Sequence, residues 1–210
     1  MKTSICTGLQ RPTWITSQHK QVVIIIRDAS PSMENDNKAI DAQRACEELV
    51  SELAKPINKD GFIVGIVDFW EKAVIKHELL TATQLENNIS SIEIDGATNI
   101  TAGLEKGLKL LESTQESSLR PIILLFTDGE HNTGKAPHKI AEKLKQVADV
   151  VTVAFGDDAD EKLLKELAST EQHFYKCSNG NELRQFMASV GQTMSMAFTG
   201  KKRQQLTKLQ

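Results

Sequence analysis

The hydrophobic positions of this chain fall into short runs that are typical of buried strands. Residues 21–27 (QVVIIIR) and 121–127 (PIILLFT) are apolar almost throughout and lack the alternation of a half-buried strand. Continuous apolar runs of this length are typical of parallel strands that are covered on both faces. Residues 61–67 and 149–155 show the same pattern, and residues 173–176 form a weaker candidate strand.

Apolar residues at helical spacing separate most of these runs. The first predicted helix has Asp36 as its N-cap and ends near Pro56. Its apolar stripe comprises Ala42, Cys46, Leu49 and Leu53. Further helices are predicted over residues 85–92, 100–112, 136–147, 160–167 and 181–196.

The connections between the strands predict the topology of the sheet. Residues 61–67 and 72–80 are joined by a short link, so we expect an antiparallel hairpin that places one strand at an edge. The other strands are separated by helices, which implies right-handed βαβ crossovers. The sequence therefore predicts an α/β fold with a doubly wound, mostly parallel central sheet, one antiparallel edge strand and helices on both faces.

The predicted elements occupy residues 20–196 of the 210-residue chain, which is the size of one ordinary domain. Residues 1–19 are interpreted as an N-terminal extension. Residues 197–210 are interpreted as a polar, basic C-terminal tail, because they contain four Lys and Arg side chains and little apolar surface: Lys201, Lys202, Arg203 and Lys208.

Composition and charge argue against several classes of protein. The formal net charge is −3, so the chain lacks the basic excess of a nucleic-acid-binding protein. Its longest apolar run, residues 22–26, is far shorter than the ~20 residues that span a bilayer, and residues 1–20 do not resemble a signal peptide. Three widely spaced cysteines do not suggest a disulfide framework. We therefore expect no nucleic-acid partner, no membrane association and a cytoplasmic location.

Polar side chains cluster where the central strands are predicted to end. Residues 28–32 (DASPS) follow the first strand, residues 96–99 (GATN) precede a helix, and residues 127–129 (TDG) end another strand. Ligands bind at this edge of an open parallel sheet. Apart from Thr127, which ends its strand, the three segments offer two carboxylates and three hydroxyls, which are oxygen ligands that suit Mg²⁺. These residue types also serve as helix caps and turn formers, but their agreement across three segments favours a metal site.

The spacing of these residues resembles the metal-ion-dependent adhesion site (MIDAS) of von Willebrand factor type A domains, and the resemblance spans residues 20–196. That motif combines D-x-S-x-S with a distant Thr and a distant Asp in a T-D-G context. All five positions are matched in order, by Asp28, Ser30, Ser32, Thr98 and Asp128. The resemblance implies that the three hydroxyls bind Mg²⁺, with Mn²⁺ as an alternative, while the two carboxylates act largely through water. Pro31 stands where many members have glycine, and we expect it to stiffen the loop without removing a ligand.

The resemblance implies a binding module rather than an enzyme. In such a module an Asp or Glu of a partner protein completes the coordination of the metal. Intracellular members of bacterial type often work beside ATPases, kinases or phosphatases, which gives the expected class of partner. The expected function is therefore Mg²⁺-dependent protein–protein interaction in the cytoplasm.

A metal-dependent phosphoryl-transfer enzyme that uses Asp28 is the main alternative. Phosphatases of the haloacid dehalogenase type also have an aspartate at the end of their first strand. They need a second aspartate as acid and base where this chain has Ser30, so this alternative is disfavoured. A serine hydrolase is disfavoured as well, because the chain contains no G-x-S-x-G segment.

Several residues beside the predicted site are candidate contacts to a partner, namely Trp70, Asn99, Glu130, His131 and Asn132. Trp70 lies in the link of the hairpin, where an aromatic side chain either caps the core or forms an exposed anchor. Glu130 and His131 follow the site aspartate, and the alternative interpretation is that they are solvated loop residues.

Overall fold

The computed structural model describes residues 20–114 and 119–199. Its strands are β1 (Gln21–Asp28), β2 (Phe62–Phe69), β3 (Ala73–Thr81), β4 (Ile122–Thr127), β5 (Asp149–Phe155) and β6 (Phe174–Cys177). Its α-helices are α1 (Lys38–Ala54), α2 (Ala82–Leu85), α3 (Ile100–Glu112), α4 (His138–Val147), α5 (Glu161–Leu167) and α6 (Gly180–Phe198). Short 3-10 helices span Pro31–Asn37, Pro56–Asn58 and Glu171–His173.

The strands form one sheet in the order β3-β2-β1-β4-β5-β6. All neighbouring strands are parallel except β2 and β3, which form an antiparallel pair with β3 at the edge. The predicted fold class and the predicted hairpin are therefore confirmed. Because β1 lies between β2 and β4, the segments that follow β1 and β4 leave the sheet side by side.

Successive residues of β1 serve two separate cores, one on each face of the sheet. Val23 and Ile25 pack into a core that α1 and α6 cover, and Leu49 and Met187 are among its helical members. Ile24 and its neighbours two positions away pack into the core under α3, α4 and α5. A strand buried on both faces has no polar face, which explains why the apolar run of β1 does not alternate.

Two local predictions were wrong. Asp36 does not cap α1: it and Asn37 adopt left-handed φ angles of 51° and 60°, and the helix begins at Lys38. Asp and Asn tolerate this conformation better than most residues. The helix predicted over residues 85–92 is also absent, because α2 ends at Leu85 and Asn87 (φ 63°) turns the chain away.

The last helix is longer than the sequence predicted. α6 continues to Phe198, two residues beyond the predicted boundary at residue 196. The proposed extension at residues 1–19 and the tail from residue 200 onward lie outside the described residues. Across residues 20–114 and 119–199, the structure contains no helix with the length and apolar character needed to cross a membrane.

A buried ion pair between β1 and β2 fixes the position of the irregular segment that precedes α3. The Arg27 guanidinium donates to both carboxylate oxygens of Asp68, at 2.6 and 3.0 Å, and both side chains are fully buried. Arg27 also donates to the Ser90 carbonyl oxygen at 3.1 Å, and Gln43 donates to the Ile89 carbonyl oxygen at 3.0 Å. The buried Arg27 guanidinium therefore holds the segment that leads to Thr98 against the sheet.

His77 of β3 adds a pH-sensitive bond to this segment. Its Nε2 atom accepts a hydrogen bond from the Ser90 backbone N–H at 2.9 Å, which requires the neutral imidazole. Burial is the main cause that lowers the pKa of His77 below 6.5; Arg27 and Lys76 lower it further, and Asp68 opposes them.

Protonation of His77 is therefore expected to destabilise the fold. A depressed pKa means that the stabilisation by neutral His77 is present above about pH 6.5 and is lost as the pH falls through the folded-state pKa. The measurement is the thermal midpoint at about pH 7.5 and about pH 5. His77→Gln keeps an acceptor without a titrating group, so its midpoint should fall less. An equal fall in both proteins would contradict this role.

Candidate metal centre

Asp28 lies at the floor of the candidate site, where β1 ends beside β4. Its side chain is fully buried, and its two oxygens accept hydrogen bonds from the Ser30 backbone N–H (2.8 Å) and from the Thr127 hydroxyl. Burial raises the pKa of Asp28 to about 6, although both hydrogen bonds act in the opposite direction. The carboxylate is therefore held in one orientation at a desolvation cost that a bound cation would reduce.

The segment after β1 turns both serine hydroxyls toward the segment after β4. The Ser30 and Ser32 Oγ atoms lie 3.1 Å apart, and Ser32 Oγ donates to Asp128 Oδ1 at 2.6 Å. Pro31 occupies the first position of the 3-10 helix, where a missing N–H costs nothing. The local departure from the motif therefore leaves the arrangement of the oxygen ligands intact.

Thr98 approaches the same point from the segment before α3. A β-carbon added to Gly129 would lie 3.4 Å from both Ser32 Oγ and Thr98 Oγ1, so the two hydroxyls flank the space that this glycine leaves open. Thr98 is buried, and so are Asp28, Ser30 and Asp128. The structure thus brings together the five residues that the motif singled out.

The donor set fits a hard divalent cation. It consists of two carboxylates and three hydroxyls, and oxygen ligands of this kind suit Mg²⁺ or Mn²⁺. In the part of the chain that the structure describes, no cluster of three or more His, Cys, Asp or Glu side chains could hold a metal ion. A metal at this edge would therefore depend on the hydroxyls of Ser30, Ser32 and Thr98, with Asp28 and Asp128 supplying negative charge.

Lys38 is a site residue that the sequence analysis missed. It is the first residue of α1, it is largely buried, and its Nζ donates to Asp128 Oδ2 at 2.7 Å. Its position depends on the turn at Asp36 and Asn37, which the helical pattern did not predict. The only signal in the sequence was a lysine close to the D-x-S-x-S segment, which does not by itself indicate a contact.

Three of the candidate partner contacts make hydrogen bonds that hold Thr98 and the first turn of α3. Asn132 accepts from the Thr98 backbone N–H at 3.0 Å through its side chain, and its own N–H donates to the Thr98 carbonyl oxygen at 3.1 Å. His131 Nδ1 accepts from the Ile100 N–H at 3.2 Å, and Asn99 caps α3 by accepting from Ala102 N–H at 3.1 Å. These bonds give the three residues a structural role, and their contact with a partner stays a prediction.

Trp70 and Glu130 lie at the rim of the site. The Trp70 ring is half-buried and packs over Gly96, where an added β-carbon would lie 2.5 Å from Trp70 Cδ1. Gly96 has a φ of +54°, so its backbone also favours glycine. Glu130 is exposed and directly follows Gly129. Both side chains are accessible enough to meet a partner, and their contact with a partner stays a prediction.

Asn132→Ala is expected to weaken metal binding without removing a ligand. The metal dissociation constant should rise roughly fivefold, since one lost hydrogen bond is worth about 1 kcal/mol and Thr98 would lose its restraint. Isothermal titration with Mn²⁺ measures the change. Glu130→Ala, which removes an exposed neighbour, serves as the control and should bind like the unmodified chain. Equal affinities of all three proteins would show that Thr98 needs no such restraint.

Comparison with known proteins assigns the family. The family model for the von Willebrand factor type A domain matches residues 22–189. Calcium-activated chloride channel regulator 1 of Bos taurus is 30% identical over 160 residues, which is 73% of this chain and 17% of the relative. Inter-alpha-trypsin inhibitor heavy chain H3 of Mus musculus is 27% identical over 192 residues, which is 81% of this chain and 21% of the relative. The chain thus spans about a fifth of the length of these curated relatives.

Solved structures agree with this assignment at the level of the fold. A von Willebrand factor type A protein from Catenulispora acidiphila has a TM-score of 0.71 at 18% identity, covering 85% of this chain and 43% of that one. Proximal thread matrix protein 1 from the mussel byssus, described as having a zinc-occupied MIDAS motif, has a TM-score of 0.69 at 21% identity over 86% and 47% of the two chains. With the match of the family model over residues 22–189, this chain belongs to the von Willebrand factor type A domain family.

Proposed function

We propose that this domain binds Mg²⁺ at the candidate metal centre and uses the metal to hold an Asp or Glu of a partner protein. The observation that carries the proposal is the convergence of Ser32 Oγ, Thr98 Oγ1 and the Asp128 carboxylate around Gly129. It is supported by membership in a family of metal-dependent protein-interaction modules, one of which is described as a zinc-occupied form.

The charge of the site supports a carboxylate as the external ligand. Three of the five oxygen donors are neutral hydroxyls, so a divalent cation bound here meets fewer anionic ligands than at an all-carboxylate site and attracts a further anion more strongly than it would there. A small, hard cation is expected at a site without nitrogen or sulfur ligands, which favours Mg²⁺ over Zn²⁺. The chain's own groups fix the position of the ion, and the ion supplies the attraction for the partner.

The remaining parts of the proposal rest on the resemblance described above. We propose a cytoplasmic protein of bacterial type whose partner is an ATPase, a kinase or a phosphatase. The wide spacing of the cysteines supports a reducing compartment, and both described cysteines, Cys46 and Cys177, are buried and free. Trp70 and Glu130 are the proposed rim contacts, since interface energy is concentrated in a few residues of this kind.

Catalysis is not part of the proposal. Ser30 stands at the position where a phosphatase of the haloacid dehalogenase type needs its second aspartate, and in this structure its hydroxyl meets Ser32. The descriptions of the two curated relatives above name a channel regulator and an inhibitor heavy chain, and neither description names an enzyme. A binding role therefore accounts for the site with fewer assumptions.

The test is the affinity for a captured partner in Mg²⁺ and in EDTA. Proteins retained by the immobilised domain in Mg²⁺ are identified, and the binding of each is then measured by surface capture under both conditions. Affinity should fall at least about tenfold in EDTA and in Thr98→Ala, because either change removes an interaction worth more than about 1.4 kcal/mol. Thr83→Ala, which changes an exposed threonine of α2 away from the site, is the control. A partner that binds equally well in both conditions would show that the metal is not used for recognition.

A further inference from the structure

Lys38 places a positive charge inside the candidate metal centre. Its side chain is 11% exposed, and its Nζ lies 2.7 Å from Asp128 Oδ2 and 3.9 Å from Asp158 Oδ2. Asp158 is 83% exposed, so the buried Asp128 is the main partner of the ammonium group. The aliphatic stem of Lys38 passes close to Gly156, where an added β-carbon would lie 3.3 Å from both Cε and Nζ. The lysine is therefore held in place by the segments that follow β4 and β5.

This contact divides the Asp128 carboxylate between two donors. Oδ1 accepts from Ser32 and Oδ2 accepts from Lys38, so both oxygens are satisfied by the chain itself. A fully buried carboxylate without a partner would be strongly destabilising. Without a bound metal, Lys38 therefore balances part of the negative charge of the site carboxylates, which a bound cation would otherwise balance.

We propose that Lys38 is a resident cation of the metal centre: it holds Asp128 in place without metal and lowers the affinity for metal alone. The inference rests on the proposed function and adds to it a coupling between metal and partner. The two site carboxylates and Lys38 together carry one net negative charge. A divalent cation turns this into one net positive charge, which an external carboxylate neutralises.

Without Lys38 the net charge of the site would be different in each of these states. The two carboxylates would neutralise a divalent cation completely, and an external carboxylate would then add an unbalanced negative charge. Metal alone would bind more tightly, and the bound metal would attract a carboxylate less. Lys38 thus makes the complete set of metal and external carboxylate the electrostatically balanced state, so the metal and the partner each favour the binding of the other.

The experiment compares Lys38→Met with the unmodified domain by isothermal titration with Mn²⁺ and Mg²⁺, each with and without acetate as the carboxylate probe. Metal alone should bind at least about tenfold more tightly to Lys38→Met, as expected when a like charge is removed at close range from a partly buried site. Acetate should strengthen metal binding more in the unmodified domain than in the variant. In EDTA the thermal midpoint of Lys38→Met should be lower, because Asp128 loses its charged partner and keeps only the hydrogen bond from Ser32.

Matched variants separate the charge from packing. Lys38→Arg keeps the charge and should stay within about threefold of the original metal affinity, since its guanidinium can also pair with a carboxylate. Lys109→Met removes an exposed lysine near the C-terminal end of α3 and should change nothing. If Lys38→Met is unfolded in EDTA but folds with Mg²⁺, the inference is supported. If it does not fold in either condition, Lys38→Gln takes its place in the titration.

The outcomes distinguish this inference from the proposed function. Equal metal affinity of Lys38→Met and the unmodified domain would overturn the role of Lys38 and leave the metal centre standing. If Lys38→Met binds metal and the unmodified domain does not, the role of Lys38 is supported and the proposed metal dependence of the natural domain is overturned. No metal binding by either protein would overturn both.

Discussion

Replacing Asp68 by alanine is expected to lower the free energy of unfolding by about 3–5 kcal/mol, the cost typical of removing one partner from a buried ion pair. Arg27 is fully buried and gives Asp68 two of its hydrogen bonds, so the substitution leaves an uncompensated charge between β1 and β2. Urea unfolding followed by circular dichroism measures the loss. Because Arg27 also holds the Ser90 carbonyl, the segment that carries Thr98 should loosen as well.

A double variant is the control for this prediction. Arg27→Met combined with Asp68→Leu replaces both charges by apolar side chains, so no unpaired ion is buried and the loss should be much smaller than for Asp68→Ala. The double variant still lacks the bond to Ser90, which makes a small residual loss expected. If the free energy of unfolding of Asp68→Ala falls by less than about 1 kcal/mol, Arg27 finds another partner or water when Asp68 is removed.

Asp28→Ala is expected to abolish stabilisation of the domain by Mg²⁺. A ligand that binds only the native state adds about 2.7 kcal/mol at a hundredfold excess over its dissociation constant, and this amount should vanish when a site carboxylate is removed. The measurement is the thermal midpoint with and without millimolar Mg²⁺ or Mn²⁺. An unchanged shift in the variant would place the metal elsewhere in the protein.

Asp28→Asn is the control that shows whether Asp28→Ala loses the effect of Mg²⁺ because the metal no longer binds or because the fold is damaged. Burial raises the pKa of Asp28 to about 6, so the ionised carboxylate opposes folding near neutral pH when no metal is bound. The asparagine keeps an acceptor for the Ser30 N–H and removes this charge. In EDTA its stability should therefore match or exceed that of the unmodified domain. In Mg²⁺ it should gain nothing.

The fold could be predicted because its elements are long and strongly patterned. The predicted bounds of the strand at residues 149–155 and of the helix at residues 100–112 agree with β5 and α3. A strand buried on both faces must be apolar throughout, and a helix that covers a sheet must carry an apolar stripe. Both patterns involve residues that are close together in the chain, so they can be recognised from the sequence alone.

The residues of the candidate metal centre could be predicted for a related reason. Asp28, Ser30 and Ser32 lie within five residues of one another, and each of the three segments ends or begins a predictable element. The edge at which such segments meet follows from the parallel topology of the sheet. The residue types therefore indicated a metal-binding edge, and the structure brings their side chains together.

The sequence by itself determined the class of fold, the two covered faces of the sheet and the five oxygen-bearing residues of the candidate site. Only the tertiary structure decided that Lys38 reaches Asp128, that Asn132 restrains Thr98, and that Arg27 ties the Ser90 segment to the sheet. These contacts join residues that are far apart in the chain, and the first of them depends on a left-handed turn at Asp36 and Asn37. Hydrophobic periodicity reports which side of an element is buried. It carries no information about the polar atom that a buried side chain will meet, because that partner is chosen by the packing of distant segments.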